Sequence, residues 1–147
     1  MGRKVLRDCG ETVYSFIEEM RENVASAIKL KTPYDIIGVN LSTALDALTN
    51  ATEWLIENGG KSTALAFAGA DAYLELFGKV AGGAMMARAA VAAQNSLSNG
   101  NDNPSFYEAK LTTARFFALH VLPKTLVLAS EIIEGSEVVL SLPEDAF

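Results

Sequence analysis

The stretch YLELFGKVAGGAMMARAA, residues 73–90, decides how this chain is read. Its apolar residues lack the strict alternation of a strand, and Glu75 stands four residues before Lys79, the spacing of a favourable pair on one helix face. Yet Gly78, Gly82 and Gly83 lie inside it, and each costs a helix about 1 kcal/mol relative to alanine. Gly78 and Gly82 are four apart and share a face, with Phe77 and Val80 flanking them. A bare face lets another helix, or a large ring such as Phe116 or Phe117, come closer than the usual ~8–10 Å between helix axes. Gly78, Gly82 and Gly83 are therefore read as helix-packing or interface positions, with Phe116 and Phe117 as their candidate partners. They are not a phosphate loop, which needs a preceding strand and a following Lys-Ser or Lys-Thr.

Outward from this segment the same helix is expected over residues 62–97, with Asp71, Glu75 and Lys79 as a charged stripe facing solvent. The run SNGNDN, residues 98–103, ends it in a loop dense in turn residues. Asn103 then caps and Pro104 opens a fourth helix over 104–134, kinked at Pro123 because the Leu119 carbonyl loses its donor. On the other side, Val13, Phe16, Ile17, Met20, Val24, Ala27 and Ile28 recur at helical spacing and give a first helix over 9–30. A second is expected over 34–58. It starts at KTPYD with Thr32 as cap, Pro33 at the first helical position and Asp35 closing a capping box, and it stops at Gly59-Gly60. Its seam of Leu41, Leu45, Leu48, Thr52 and Leu55 alternates at four and three residues, as bundle helices do. The tail, 135–147, has room for one helical turn before Pro143. No strand pattern and no internal repeat interrupts this order. The expected fold is all-α, a single domain over residues 1–147: an up-down antiparallel four-helix bundle whose third and fourth helices are the longer pair.

Composition narrows the function. The net charge is −6 and the pI about 4.8, with basic residues scattered, so nothing gathers the stripe that nucleic acid needs. Half the residues are apolar and mean hydropathy is +0.20, which implies some apolar surface awaiting a partner. One cysteine and one histidine leave no zinc site to propose. The N-terminus has no secretory core and Leu6 stands where a myristoylation pattern wants Ser or Thr, so a cytoplasmic location is expected. No membrane span is expected either, because Asp71, Glu75, Lys79 and Arg88 interrupt the most apolar region before it reaches ~18 uncharged residues.

Candidate chemistry is sparse. Cys9 reads as a thiolate at a helix N-terminus or, more simply, as an apolar residue near a helix end. His120 reads as a general base or as a packed histidine without a paired acid. Arg88 and Arg115, in MMARAA and TTARFF, would grip a carboxylate or phosphate, or form a buried ion pair with Asp71, Glu75 or Glu108. No catalytic, cofactor-binding or metal-binding residue is assigned.

Three separate stretches, YLELFGKVAGGAMMARAA, FYEAKLTTARFFALHVLPKT and the ending GSEVVLSLPEDAF, together resemble the helical domain appended to the C-terminus of long acyl-CoA dehydrogenases. The opening GRKVLRD resembles the point where those chains leave the catalytic core. The resemblance implies a parent enzyme that binds FAD and uses a glutamate to remove the α-proton of an acyl-CoA while hydride passes to the flavin. The segment carrying that glutamate precedes the equivalent of GRK and has no counterpart here, so no catalytic or flavin-binding residue is transferred. The expectation is a piece of a larger dehydrogenase, with Met1 an introduced or misassigned start. It would hold no cofactor itself, and its partner would be the dehydrogenase core or a second subunit in a homo-oligomer. A stand-alone dimerisation or interaction module, with the Ala-Gly stripe as contact, is the alternative. A carrier or enzyme using the interior would need convergent polar groups that the sequence does not supply.

Overall fold

The computed structural model describes residues 2–100 and 102–141, and among them all regular structure is helical. Helices α1 (Gly2–Arg7) and α2 (Glu11–Ala27) form a first rod, and α3 (Ile36–Gly59) a second. The third comprises α4 (Thr63–Ala68) and α5 (Ala70–Ser98). The fourth comprises α6 (Pro104–His120), α7 (Lys124–Ser130), a π-helical turn (Glu131–Gly135) and α8 (Ser136–Val139).

Cross-rod contacts fix the directions. Arg21 pairs with Asp46 at 2.9 Å while Gly38 abuts Ala27 and Ile28, so α2 and α3 are antiparallel. Tyr73 bonds Thr52 and Gly83 faces Leu41, so α3 and α5 are antiparallel too. Gly82 meets Phe117 and Gly69 meets Ile132 and Ser136, which runs the whole fourth rod back along α5. Helices α3 and α5 form the centre, with α2 and the fourth rod each packed against both.

The seam on α3 does what its spacing predicts: Leu41, Leu45, Leu48, Thr52 and Leu55 are all buried. Opposite them α5 buries Tyr73, Leu76, Val80, Ala84 and Ala87. Each large aliphatic side chain removed from water contributes roughly 1.5–3 kcal/mol. The alanines on α5 let α3 sit close without leaving voids. On α2 the buried set is Val13, Ile17, Met20, Val24 and Ala27, whereas Ile28 falls beyond the helix and is exposed.

Four boundaries differ from expectation. The first helix is preceded by a separate α1 and begins at Glu11, after a turn in which Cys9 (φ 50°) and Gly10 (φ 80°) are left-handed. Asp8 holds that turn by accepting from the Thr12 hydroxyl at 2.6 Å and the Gly10 N–H at 3.1 Å, which keeps its carboxyl below the usual range. The capping box at Thr32 is not formed. Residues 31–35 turn instead, with the Tyr34 N–H on the Lys31 carbonyl, and α3 starts at Ile36 with the N–H groups of Ile37 and Gly38 on the carbonyls of Tyr34 and Asp35. The third helix breaks at Gly69, where a Cβ would stand 3.0 Å from Ser136 Oγ and 3.3 Å from Ile132 Cγ2; the C-terminal rod passes too close for a side chain. The fourth is interrupted rather than kinked. Residues 121–123 form a turn, and the Leu122 N–H goes to the Phe117 carbonyl at 3.1 Å, which strands the Ala118 carbonyl. Asn40 of α3 donates to it at 2.8 Å. At Asn103 the cap forms as read, its Oδ1 accepting from the Phe106 N–H at 3.3 Å with Pro104 leading the helix. The expected tail beyond residue 141, with Pro143, lies outside the described residues.

Candidate docking surface

The three glycines of α5 have three different surroundings. At Gly83 a Cβ would lie 2.7 Å from Leu122 Cδ2 and 3.3 Å from Leu41 Cδ1, so this glycine makes the notch that admits Leu122 from the interrupted fourth rod. At Gly82 a Cβ would lie 3.1 Å from Phe117 Cζ, and the ring covers the bare backbone. Gly78 has nothing within 4 Å and is exposed, so it does not serve the close approach expected of it. The glycine stripe is thus an internal seat at two positions and open surface at the third.

Phe116 and Phe117 diverge. Phe117 is half-buried against Gly82, while Phe116 is 59% exposed and stacks on His120 with ring centroids 4.5 Å apart. His120 has no hydrogen-bonded acid among the described residues, so nothing equips it as a base. Arg88 and Arg115 are both exposed and belong to no ion pair among the described residues, so the buried pair considered for them is not present. Glu75 instead pairs with Lys79 at 2.8 Å on the outer face of α5. Cys9 is exposed in the left-handed turn before α2, two residues ahead of the helix start at Glu11.

What the chain leaves uncovered is apolar. On the fourth rod Phe116, Leu119, Leu126 and Val127 are 59%, 41%, 50% and 70% exposed, and Pro123 lies between them. Phe116 and Leu119 are three residues apart on α6, and Leu126 and Val127 are neighbours on α7. The differing directions of Phe116 and Phe117 mark one side of the fourth helix as an interface candidate from sequence, and the exposure of Leu126 and Val127 beyond the break at 121–123 adds to it.

Among the described residues no buried side-chain polar atom lacks a partner, and no cluster of His, Cys, Asp or Glu would hold a metal ion. A groove of about 840 Å³ between α1, α2 and α5 is floored by the Phe16–Phe77 stack, with ring centroids 5.6 Å apart. Among the described residues its rim carries Asp8, Glu11 and Glu19 beside Arg7. Carboxylates in that excess do not favour a pyrophosphate.

The rods α5 and 104–139 are each long and apolar enough to cross a membrane by length and composition, with mean hydropathy 1.2 and 1.6. Asp71, Glu75, Lys79 and Arg88 still interrupt any run of ~18 uncharged residues in α5. The apolar content of the two rods has another outlet: one side of each is spent on the core shared with α3.

Against this geometry, a family model described as acetyl-CoA dehydrogenase C-terminal like matches residues 16–143. The chain belongs to that family. It is also similar to 3-methylmercaptopropionyl-CoA dehydrogenase of Ruegeria pomeroyi, at 31% identity over 141 residues. The alignment covers 96% of this chain and 24% of the relative, so the chain spans about a quarter of that protein. The acetyl-CoA dehydrogenase C-terminal-like match takes in α3, α5, α6 and α7 and the larger part of α2, elements that build the core and carry the uncovered apolar residues.

Proposed function

We propose that this domain is a structural, non-catalytic part of an acyl-CoA dehydrogenase-like flavoprotein, whose apolar outer side on the fourth rod docks on the dehydrogenase core or on a second subunit. The observation that carries this reading is the pairing of a closed, fully satisfied interior with an exposed run of Phe116, Leu119, Leu126 and Val127. Scattered apolar residues on a surface need no explanation, but a contiguous series along one rod marks an interaction site. In this reading FAD and acyl-CoA oxidation belong to the dehydrogenase core, and the lone cysteine suits a reducing, cytoplasmic setting.

The test has two parts. The purified 147-residue chain, mixed with FAD and then desalted, is expected to retain no flavin absorbance and to reduce no dye with acyl-CoA substrates. Stoichiometric flavin retention or acyl-CoA-dependent dye reduction would overturn the reading. An antibody raised against the chain should then mark a band several-fold larger than 15.7 kDa in source-cell extract. A band at 15.7 kDa would replace the appended-domain reading with that of a stand-alone interaction module.

A further inference from the structure

Arg88 is the one charged residue that α5 carries after Lys79, and it is exposed with no carboxylate in ion-pair distance among the described residues. It borders a notch of about 270 Å³ between α2 and α5, lined also by Asn23, Ser26, Val91, Ala92 and Asn95. Among the described residues the Ser26 hydroxyl and the Asn95 amide have no hydrogen-bond partner, and Asn23 directs a single N–H at the Glu19 carbonyl, at 3.3 Å. The lining thus gathers a guanidinium and three side chains with unmade hydrogen bonds, and includes no carboxylate. Glu19 and Glu22 lie one turn before Asn23 and Ser26, both exposed and neither paired with Arg88. At the end of α2 the carbonyls of Val24, Ser26 and Ala27 already accept from Ile28, Lys29 and Leu30, so these three add no bare acceptor. Lys29 and Lys31 follow, both exposed, and the Lys31 N–H donates to Gln94 Oε1 at 2.9 Å, which brings this positive segment to the residue beside Asn95.

We propose that this notch binds the phosphate monoester group of a small soluble molecule, with Arg88 as its anchor. A guanidinium is a rigid fork that engages two oxygens of an oxoanion at once. A carboxylate has only those two oxygens to offer, whereas a phosphate monoester keeps a third for the donors of Asn23, Ser26 and Asn95. The volume lies just below the ~300 Å³ at which pockets for whole small molecules begin, so the notch holds the phosphate and leaves the rest of the ligand in solvent. The net charge of −6 disfavours a polyanion such as a nucleic acid or an anionic lipid surface. A single phosphate is governed instead by the charges within a Debye length, about 8 Å at physiological ionic strength. The site uses α2 and α5 and none of the uncovered residues of the fourth rod, so it goes beyond the docking reading and stands or falls apart from it.

The experiment is proton–nitrogen NMR of the whole labelled chain at neutral pH, titrated with inorganic phosphate, methyl phosphate and acetate against sodium chloride of matched ionic strength. Both phosphates are expected to shift the side-chain amides of Asn23 and Asn95 and the Arg88 Nε–H along saturating curves, with a Kd on the order of 1 mM. Acetate should bind several-fold more weakly. Arg88→Gln should weaken phosphate by at least about tenfold, and Arg88→Lys by about threefold, because lysine keeps the charge and loses the fork. Arg115→Gln, which removes an exposed, unpaired arginine from α6, should leave the Kd unchanged. Far-ultraviolet circular dichroism, expected to be the same for all three variants, keeps a loss of binding distinct from a loss of fold. Shifts that stay linear and are reproduced by chloride overturn the proposal, and so do equal losses in Arg88→Gln and Arg115→Gln. Acetate binding as tightly as phosphate overturns the assignment to a phosphate. Sedimentation of the chain with phosphatidic acid vesicles, rather than its expected recovery in the supernatant, overturns the assignment to a soluble molecule. Flavin retention bears on the docking reading and on none of these results.

Discussion

Thr52 has one hydroxyl proton, and it is directed at the Leu48 carbonyl at 2.7 Å, so in the 2.8 Å contact between Thr52 and Tyr73 the phenol is the donor. Both residues are fully buried between α3 and α5. Burial pushes the Tyr73 phenol from its ordinary 10.0 up to about 12. Below pH 10 both folded and unfolded chains hold the proton. Between the two values the unfolded chain releases a proton that the folded chain keeps, so stability falls as pH rises through that window, by roughly 2–3 kcal/mol in all. Urea titrations at pH 9 and pH 11.5 should show this loss for the wild type and a smaller one for Tyr73→Phe. Equal losses in the two proteins would remove Tyr73 from the account. At pH 7 the same substitution should cost about 1 kcal/mol, because Thr52 keeps its bond to Leu48 and no buried group is left unpaired. The glycines of α5 separate at this scale as well. Gly78→Ala, with open space around it, should stabilise by about 0.5–1 kcal/mol through helix propensity alone. Gly83→Leu should destabilise by about 3 kcal/mol, since Leu122 and Leu41 already fill the notch. Equal effects at the two sites in urea unfolding would refute the distinction.

Elements begin and end here for two kinds of reason, and only one is local. Asn103 followed by Pro104 starts α6 because cap and first helical residue are neighbours in sequence, and that start was legible. The seam on α3 was legible for the same reason: a periodic apolar face needs no knowledge of what covers it. The interruption at Gly69 depends instead on Ile132 and Ser136, far away in the chain, and no local pattern announces it. Pro123 announced a disturbance but not its form. The break is held open by Asn40 of α3, whose amide donates to the stranded Ala118 carbonyl. Asn40→Ala should therefore cost about 1–2 kcal/mol, more than an exposed polar substitution, because a partly buried carbonyl is left without a donor. Thermal denaturation should show the loss, and Thr43→Ala, which removes only a local bond to the Val39 carbonyl on the exposed side of the same helix, should show about none. A similar drop for both would mean that Asn40 acts through helix α3 alone.

At the scale of the whole molecule, the arrangement about α3 and α5 explains how a chain with two helices apolar enough to span a membrane folds around a core of its own. All-α character and the order of the long helices followed from periodicity and turn residues. The uncovered side of the fourth rod followed in part, since Phe116 and Phe117 diverge as their neighbouring positions require, whereas Leu126 and Val127 lie beyond the break at 121–123. Crossing a bilayer would strip Tyr73, Leu76, Val80 and Ala84 from their contacts with α3. It would also carry Asp71, Glu75, Lys79 and Arg88 into or near hydrocarbon, at about 2.5–3.5 kcal/mol for each charge that reaches the centre. Lipid returns no hydrophobic gain for apolar surface already buried against protein. The core contacts should therefore win, and any membrane association of the chain should be peripheral, through exposed residues such as Val127. When the chain is expressed and membranes are collected, alkaline carbonate should release it into the supernatant. Retention in the carbonate-washed pellet together with protection of a tag at either end from added protease would show that α5 or the fourth rod spans, and would overturn the assignment of their apolar faces to this core.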